Sequence, residues 1–297
     1  MPNDRNELEH TERLDRRQRE LLELLHGFRR VIVALSGGGD SAVVAMAARL
    51  ACGDDAWAVT AVSPGLAEQE RRAAEAVARR IGIRHLWLNT GEHTRDGYRR
   101  NAPDRCFFCK DTLYATIAER VLPELPGATI CNGANADDVG DWRPGMRAGA
   151  LHGVRSPLLE LGIGKAEVRA LAREWELPIW DKPASPCLAS RVAYGVEVTP
   201  DRLRRIERAE AFLREQFGLR DLRVRCEAGE LARIEVPPAD IPRLADPAAA
   251  ARIAARLREL GFRCVTLDLE GLRSGNLNAL IPLALPVTPG KTLPDGE

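Results

Sequence analysis

The chain has no net charge: its 297 residues carry 43 Lys+Arg against 43 Asp+Glu. A neutral chain has no bulk pull towards a phosphate backbone or an anionic membrane. This argues against a nucleic-acid partner and leaves room only for a local basic patch. No run approaches the ~20 apolar residues of a spanning helix. The opening Met1-Pro-Asn-Asp-Arg-Asn-Glu7 has no apolar signal-peptide core. No membrane partner is therefore expected, and the expected location is cytoplasmic. Lysine is scarce, with Lys110, Lys165, Lys182 and Lys291 the only four, so arginine supplies nearly every cation. The five histidines are scattered; His26, His85 and His152 match no ligand spacing and read as structural. No internal repeat is visible, and the one biased tract is the alanine-rich stretch 248–255. What is present suits a globular protein: 45% hydrophobic and 29% charged residues, in a length for one large domain or two ordinary ones. A core of that size needs no disulfide or metal staple. The seven cysteines then sit in a reducing compartment, where reactive or metal-ligating thiols are favoured over disulfides.

Residues 7–28, with Leu14, Leu21, Leu22, Leu24 and Leu25, read as an amphipathic helix. Strands are predicted at 31–35, 56–62, 85–88 and 129–132. Helices are predicted at 42–51, 67–81, 114–122 and 165–175. Such alternation implies βαβ units and a parallel sheet, an α/β fold with helices on both faces. After about Gly195 the pattern changes to helix 201–216, strands 222–226 and 232–236, helix 247–260 and strand 263–269. The expected division is therefore a domain at 1–195, a small α+β module at 196–285 for substrate or oligomer contacts, and a loose tail at 286–297.

The strongest local signal is Val31-Ile-Val-Ala-Leu-Ser36-Gly-Gly-Gly-Asp40-Ser41. A strand feeds a glycine turn that opens a helix, so bare N–H groups and a helix N-terminus make an anion site. Gly37, Gly38 and Gly39 let the backbone approach phosphate, Ser36 and Ser41 offer hydroxyls, and Asp40 could hold Mg²⁺ against pyrophosphate. No Gly-Lys-Ser/Thr follows, so this is not a Walker A loop, and the three spaced glycines of a dinucleotide site are missing. The segment resembles the PP-loop, Ser-Gly-Gly-x-Asp-Ser, of enzymes that split ATP to AMP and pyrophosphate to adenylate a carbonyl or carboxylate. Gly39 departs from the larger residue usual at the variable position.

Cys52, Cys131, Cys226 and Cys264 lie in apolar contexts and read as core residues. Cys106-Phe-Phe-Cys109-Lys110 and Cys187, within Lys182-Pro-Ala-Ser-Pro-Cys187-Leu-Ala-Ser-Arg191, have cations nearby. Cations depress a thiol pKa. On these segments the chain resembles the LarE family, ATP-dependent sulfur transferases that mature the nickel-pincer cofactor of lactate racemase. The matching pieces are Leu35-Ser-Gly-Gly-Gly-Asp-Ser41, Arg105-Cys-Phe-Phe-Cys-Lys110, Asn132-Gly-Ala-Asn-Ala-Asp-Asp138, Gly140-Asp-Trp-Arg-Pro-Gly145, Trp180-Asp-Lys-Pro183 and Cys187-Leu-Ala-Ser-Arg191. Arg223-Val-Arg225, Ala232-Arg-Ile-Glu-Val236, Leu267-Asp-Leu-Glu-Gly271 and Arg273-Ser-Gly275 follow in the last module. Ala134 and Leu272 depart from a commoner threonine and tyrosine.

The resemblance implies ATP and Mg²⁺ as cofactors and a small-molecule nucleotide substrate, pyridinium-3,5-biscarboxylic acid mononucleotide. It implies Cys187 as the nucleophile on an acyl-adenylate. It also implies a homo-oligomer and, as partners, other lactate racemase maturation proteins. Sulfur comes either from Cys187 itself or from sulfide on a [4Fe–4S] cluster held by Cys106, Cys109 and Cys187. Zinc, a redox disulfide and plain packing are the alternatives for the C-x-x-C pair. Gly133, Asn135, Asp137 and Asp138 follow a strand end, where ligands sit in open α/β sheets. They are expected at nucleotide or Mg²⁺, with an Asx-rich turn as the alternative. Ser63, at the same sheet edge, is expected at adenosine. Ser190, Arg191, Arg223, Arg225 and Arg233 are the candidate substrate contacts, guanidinium forks being suited to phosphate. Glu210 joins them, with a solvated helix glutamate as the alternative. A tRNA thiolase, an ammonia-using PP-loop ligase and a non-enzymatic adenine-nucleotide sensor remain competing readings.

Overall fold

A computed structural model describes residues 3–138, 144–182 and 186–273. The expected tail at 286–297 lies outside the described residues, as do residues 140–143, Pro183, Ser274 and Gly275 of the matched segments. The chain opens with α1 (Asn3–Phe28), β1 (Val31–Ala34), α2 (Gly39–Cys52), β2 (Ala56–Val62), α3 (Glu68–Ile81) and β3 (Arg84–Asn89). It continues with α4 (Asp96–Arg99), α5 (Arg105–Arg120), β4 (Thr129–Cys131), α6 (Pro144–Leu151), α7 (Pro157–Glu160) and α8 (Lys165–Glu174). The last part holds α9 (Pro200–Phe217), β5 (Arg223–Glu227), β6 (Leu231–Glu235), α10 (Ile241–Ala245), α11 (Pro247–Glu259) and β7 (Cys264–Leu267).

The first four strands form one parallel sheet in the order β3-β2-β1-β4. All of β1 is buried, which is why its sequence is continuously apolar rather than alternating. On one face α1, α2, α3 and α8 share a core of Leu21, Leu25, Val43, Val44, Val77 and Leu171. On the other, α5 packs Tyr114 and Ile117 against Ile32, Trp57 and Val59. Chain order reverses between β1 and β4, and loops leaving such a point diverge and open a crevice. The glycine loop leaves β1 there, and the 132–138 loop leaves β4.

The second sheet pairs β5 with β6 antiparallel and β6 with β7 parallel. Its core reaches back along the chain to Leu188, Ala189, Val192 and even Tyr98. Helix ends follow their sequence signals. Thr199 caps α9 by accepting from Arg202 N at 3.2 Å, with Pro200 at the first helical position. Asp246 does the same for α11.

Two sequence expectations need correction. Helix α5 begins at Arg105 rather than at 114, so the C-x-x-C pair sits in its first turns. Cys264 is exposed on β7 and Cys52 only half-buried, whereas Cys131 and Cys226 are the core thiols expected. β7 is an edge strand, and its alternate residues face solvent.

Candidate active site

A cavity of about 500 Å³ opens at the β1/β4 switch point. Leu35, Ser36, Gly38, Gly39, Asp40, Ser63, Asp138, Cys109 and Cys187 all line it. It therefore brings the glycine loop and two of the three candidate thiols to one space.

The loop is held from within. Ser41, buried, accepts from Ser36 N at 3.1 Å and donates to the Gly38 carbonyl at 3.1 Å, with the Ser36 hydroxyl 3.0 Å from its own. Ser41 thus shapes the turn, and Ser36 faces the opening. Gly37 has φ 80°, and a Cβ there would lie 2.9 Å from the Glu70 carbonyl. Glycine is required on both counts. From outside, Lys182 Nζ donates to the Gly37 carbonyl at 3.0 Å and pairs with Glu70 at 2.6 Å. Both side chains line the cavity.

The 132–138 loop packs so tightly on α2 that a Cβ at Gly133 would lie 2.5 Å from Ser41 N. Asp138 reaches the cavity wall, while Asp137 accepts from Lys165 N at 2.5 Å and caps α8. Asn135 is fully buried; its Oδ1 accepts from Asp137 N at 3.0 Å, and its Nδ2 has no partner among the described residues. Gly37 and Ser41 thus shape the glycine loop, and Gly133, Asn135 and Asp137 hold the 132–138 loop beside it.

Cys187 is exposed and begins a tight turn whose carbonyls are gripped by three buried arginines. Arg191 donates to Pro186 O at 2.5 Å, Arg105 to Ala189 O at 2.8 Å, and Arg225 to Ser190 O at 2.7 Å. Arg191 is fixed in turn by Glu210 at 3.0 Å, a pair only 4% and 2% exposed. Glu210, read in the sequence as a candidate contact or a solvated residue, is instead the buried anchor of the cysteine turn. It also accepts from Val224 N at 3.2 Å and pairs with Arg214 at 3.0 Å. Arg225 pairs with buried Glu235 at 2.9 Å, and its buried Nε has no partner among the described residues. Arg233 is taken up by Glu227, Glu235 and Asp268. Arg223 donates to the Arg273 carbonyl at 3.4 Å. Its pKa is lowered by burial and by Arg225 and Arg191 close by.

The two thiols of the C-x-x-C pair differ from expectation. Burial pushes Cys109 up to about 12, and pushes Cys106 up as well, helped by the neighbouring Cys187. Arg105 and Lys110 pull Cys106 down, but desolvation wins for both cysteines of the pair. The three thiols lie within electrostatic reach of one another. Among the described residues, however, no three His, Cys, Asp or Glu side chains converge as a metal site. Glu92 and Tyr98, which sequence reasoning passed over, complete this end of the cavity together with Lys110. Lysine scarcity is a signal for Lys110 alone of these, since three of the chain's four lysines line this cavity.

Comparison with known proteins agrees with this geometry. The family model for NAD synthase matches residues 18–103, the span that carries the glycine loop. An uncharacterised protein of Synechocystis sp. is 44% identical over 85% of this chain and 93% of its own length. The pyridinium-3,5-bisthiocarboxylic acid mononucleotide synthase of Lactiplantibacillus plantarum is 35% identical over 87% of this chain and 92% of its own. A tRNA-specific 2-thiouridylase of Xanthobacter autotrophicus is similar over only 52% of this chain and 49% of its own. A PP-loop at the switch point, with a cysteine turn on the same cavity and this extent of likeness, places the chain in the LarE family of pyridinium-3,5-bisthiocarboxylic acid mononucleotide synthases.

Proposed function

We propose that the protein is an ATP-dependent sulfur-inserting enzyme that converts a carboxylate of pyridinium-3,5-biscarboxylic acid mononucleotide to a thiocarboxylate. The observation that carries this reading is that the phosphate loop and Cys187 line one cavity. A carboxylate resists nucleophiles until one oxygen becomes a leaving group. Its oxygen attacks the α-phosphorus of ATP, pyrophosphate departs, and an acyl-adenylate forms. The Cys187 thiolate then attacks the acyl carbon and expels AMP, giving a thioester. Loss of the Cys187 Cα proton breaks the Cβ–S bond, so sulfur leaves as the thiocarboxylate and the residue becomes dehydroalanine.

The loop from Leu35 to Ser41 cradles the phosphates, Ser63 meets adenosine, and Asp40 and Asp138 are the carboxylates suited to Mg²⁺. Arg223 and Arg225 carry guanidinium forks of the kind suited to the mononucleotide phosphate. Arg191 and Glu210 act as positioning residues for the cysteine turn beside Ser190. Cys106, Cys109 and Cys187 are the residues that would hold a [4Fe–4S] cluster, which when bound offers an open iron for exogenous sulfide.

Intact-protein mass spectrometry tests the reading on anaerobically purified chain given ATP, Mg²⁺ and the pyridinium substrate without sulfide. Loss of one H₂S mapped to Cys187 is the expected result. Unchanged mass, with thiolated product once sulfide is added, would assign the sulfur to a cluster. No product under either condition removes the reading.

A further inference from the structure

Four buried glutamates of this chain come with a cation. Glu70 pairs with Lys182, Glu167 with Arg13, Glu210 with Arg191 and Glu235 with Arg225. A carboxylate taken out of water needs such a partner. Glu92 differs: it is only 3% exposed, and its hydrogen bond comes from the Thr90 hydroxyl at 2.5 Å. Among the described residues no lysine, arginine or histidine pairs with it. Its loop leaves β3 at the sheet edge from which the glycine loop leaves β1, and Glu92 lines the cavity there. Cys109 and Tyr98 lie within electrostatic reach of it, and both lie within reach of Cys187. Tyr98 adds an aromatic ring to the same stretch of wall. A buried negative charge and an aromatic ring near the nucleophile suit a positive charge on a ligand.

We infer that Glu92 is the counter-charge for the pyridinium ring of the mononucleotide and selects a cationic ring over an uncharged one. The inference rests on the substrate reading above. The ring nitrogen is bonded to two ring carbons and to the ribose, so its positive charge is permanent and needs no proton. The glycine loop and the arginines are built for anions and cannot recognise it. Glu92 attracts the ring and repels the two carboxylates that the ring carries, so it also fixes which edge of the ring faces the wall. Nucleotides with an uncharged base, ATP and AMP among them, gain nothing from Glu92.

Isothermal titration of the full chain tests this with two probes: the pyridinium mononucleotide, and the same nucleotide reduced to the uncharged dihydropyridine. The native protein should bind the cationic ring at least ~10-fold more tightly, the size expected for a desolvated charge pair. Glu92→Gln keeps the shape and the Thr90 contact but not the charge. It should narrow that preference to less than about twofold and change the affinity for Mg²⁺-ATP by less than about twofold, within the scatter of a substitution that leaves the ATP site alone. A native protein that does not distinguish the two rings overturns the inference without any variant. So does a Glu92→Gln protein that keeps the preference, or one that loses both rings and ATP alike, as a merely structural role would have it. Native protein that binds neither ring form, yet binds ATP, would instead remove the substrate reading beneath the inference.

Discussion

Cys187 owes its position to residues far away in the chain. Arg105 reaches Ala189 across 84 positions and Arg225 reaches Ser190 across 35, while Arg191 is locked by Glu210. Glu210 is the member whose loss leaves a buried guanidinium uncompensated. Glu210→Ala should therefore cost about 3–5 kcal/mol in chemical denaturation, the usual penalty for breaking a buried ion pair. A loss under about 1 kcal/mol would mean that the pair is more solvated than its burial suggests. The glycine loop was legible in the sequence because its functional atoms are contiguous from Leu35 to Ser41. Glu210 and Lys182 were not, because their partners are set by folding and not by spacing. Lys182 meets Glu70 across 112 positions. The pKa values of Cys106 and Cys109 run opposite to expectation for the same reason: cations beside the pair are visible in the sequence, and burial is not.

At the level of elements, periodic and capped segments were legible almost to the residue. β2 at Ala56–Val62 matches its predicted span, and α8, α9 and α11 fall within a residue or so of theirs. The elements that escaped have weak local signals. α5 starts after Pro103 with an Asp104 that makes no capping bond. α6 carries Gly145 and Gly149, poor helix formers whose missing side chains let it lie against α5. A Cβ at Gly145 would approach Lys110 Cγ to 3.1 Å. Gly133 is the stricter case, since its neighbours are the backbone of α2 and cannot rotate away. Gly133→Ala should destabilise by about 1–3 kcal/mol, as overpacking does. It should also weaken ATP binding by moving the start of α2. Thermal melts and nucleotide titration together check this; an unchanged melt with intact binding would show that the loop gives way cheaply.

Across the whole molecule, stability is tied to carboxylates paired with arginine and histidine. Arg155 hydrogen-bonds Glu160 and holds its carboxyl below the ordinary 4.5, and His152 with Arg95 holds Asp111 below 3.8. Groups depressed in the folded state contribute fully above those ordinary values, and the contribution fades as pH falls through the lowered ones. Unfolding free energy should thus fall as pH drops below about 4. Denaturation followed across that range would contradict this if stability rose on acidification. One further consequence follows from the cysteine turn being fastened by its carbonyls, with the side chain at 187 left out. If Cys187 gives up its own sulfur, as proposed, these carbonyl contacts do not involve the lost atom, and proteases that survey for unfolding would find nothing to degrade. Spent copies would linger beside fresh ones and compete for substrate, each carrying a dehydroalanine electrophile. Removal would fall to dilution by growth, and the rate of new translation would set the flux.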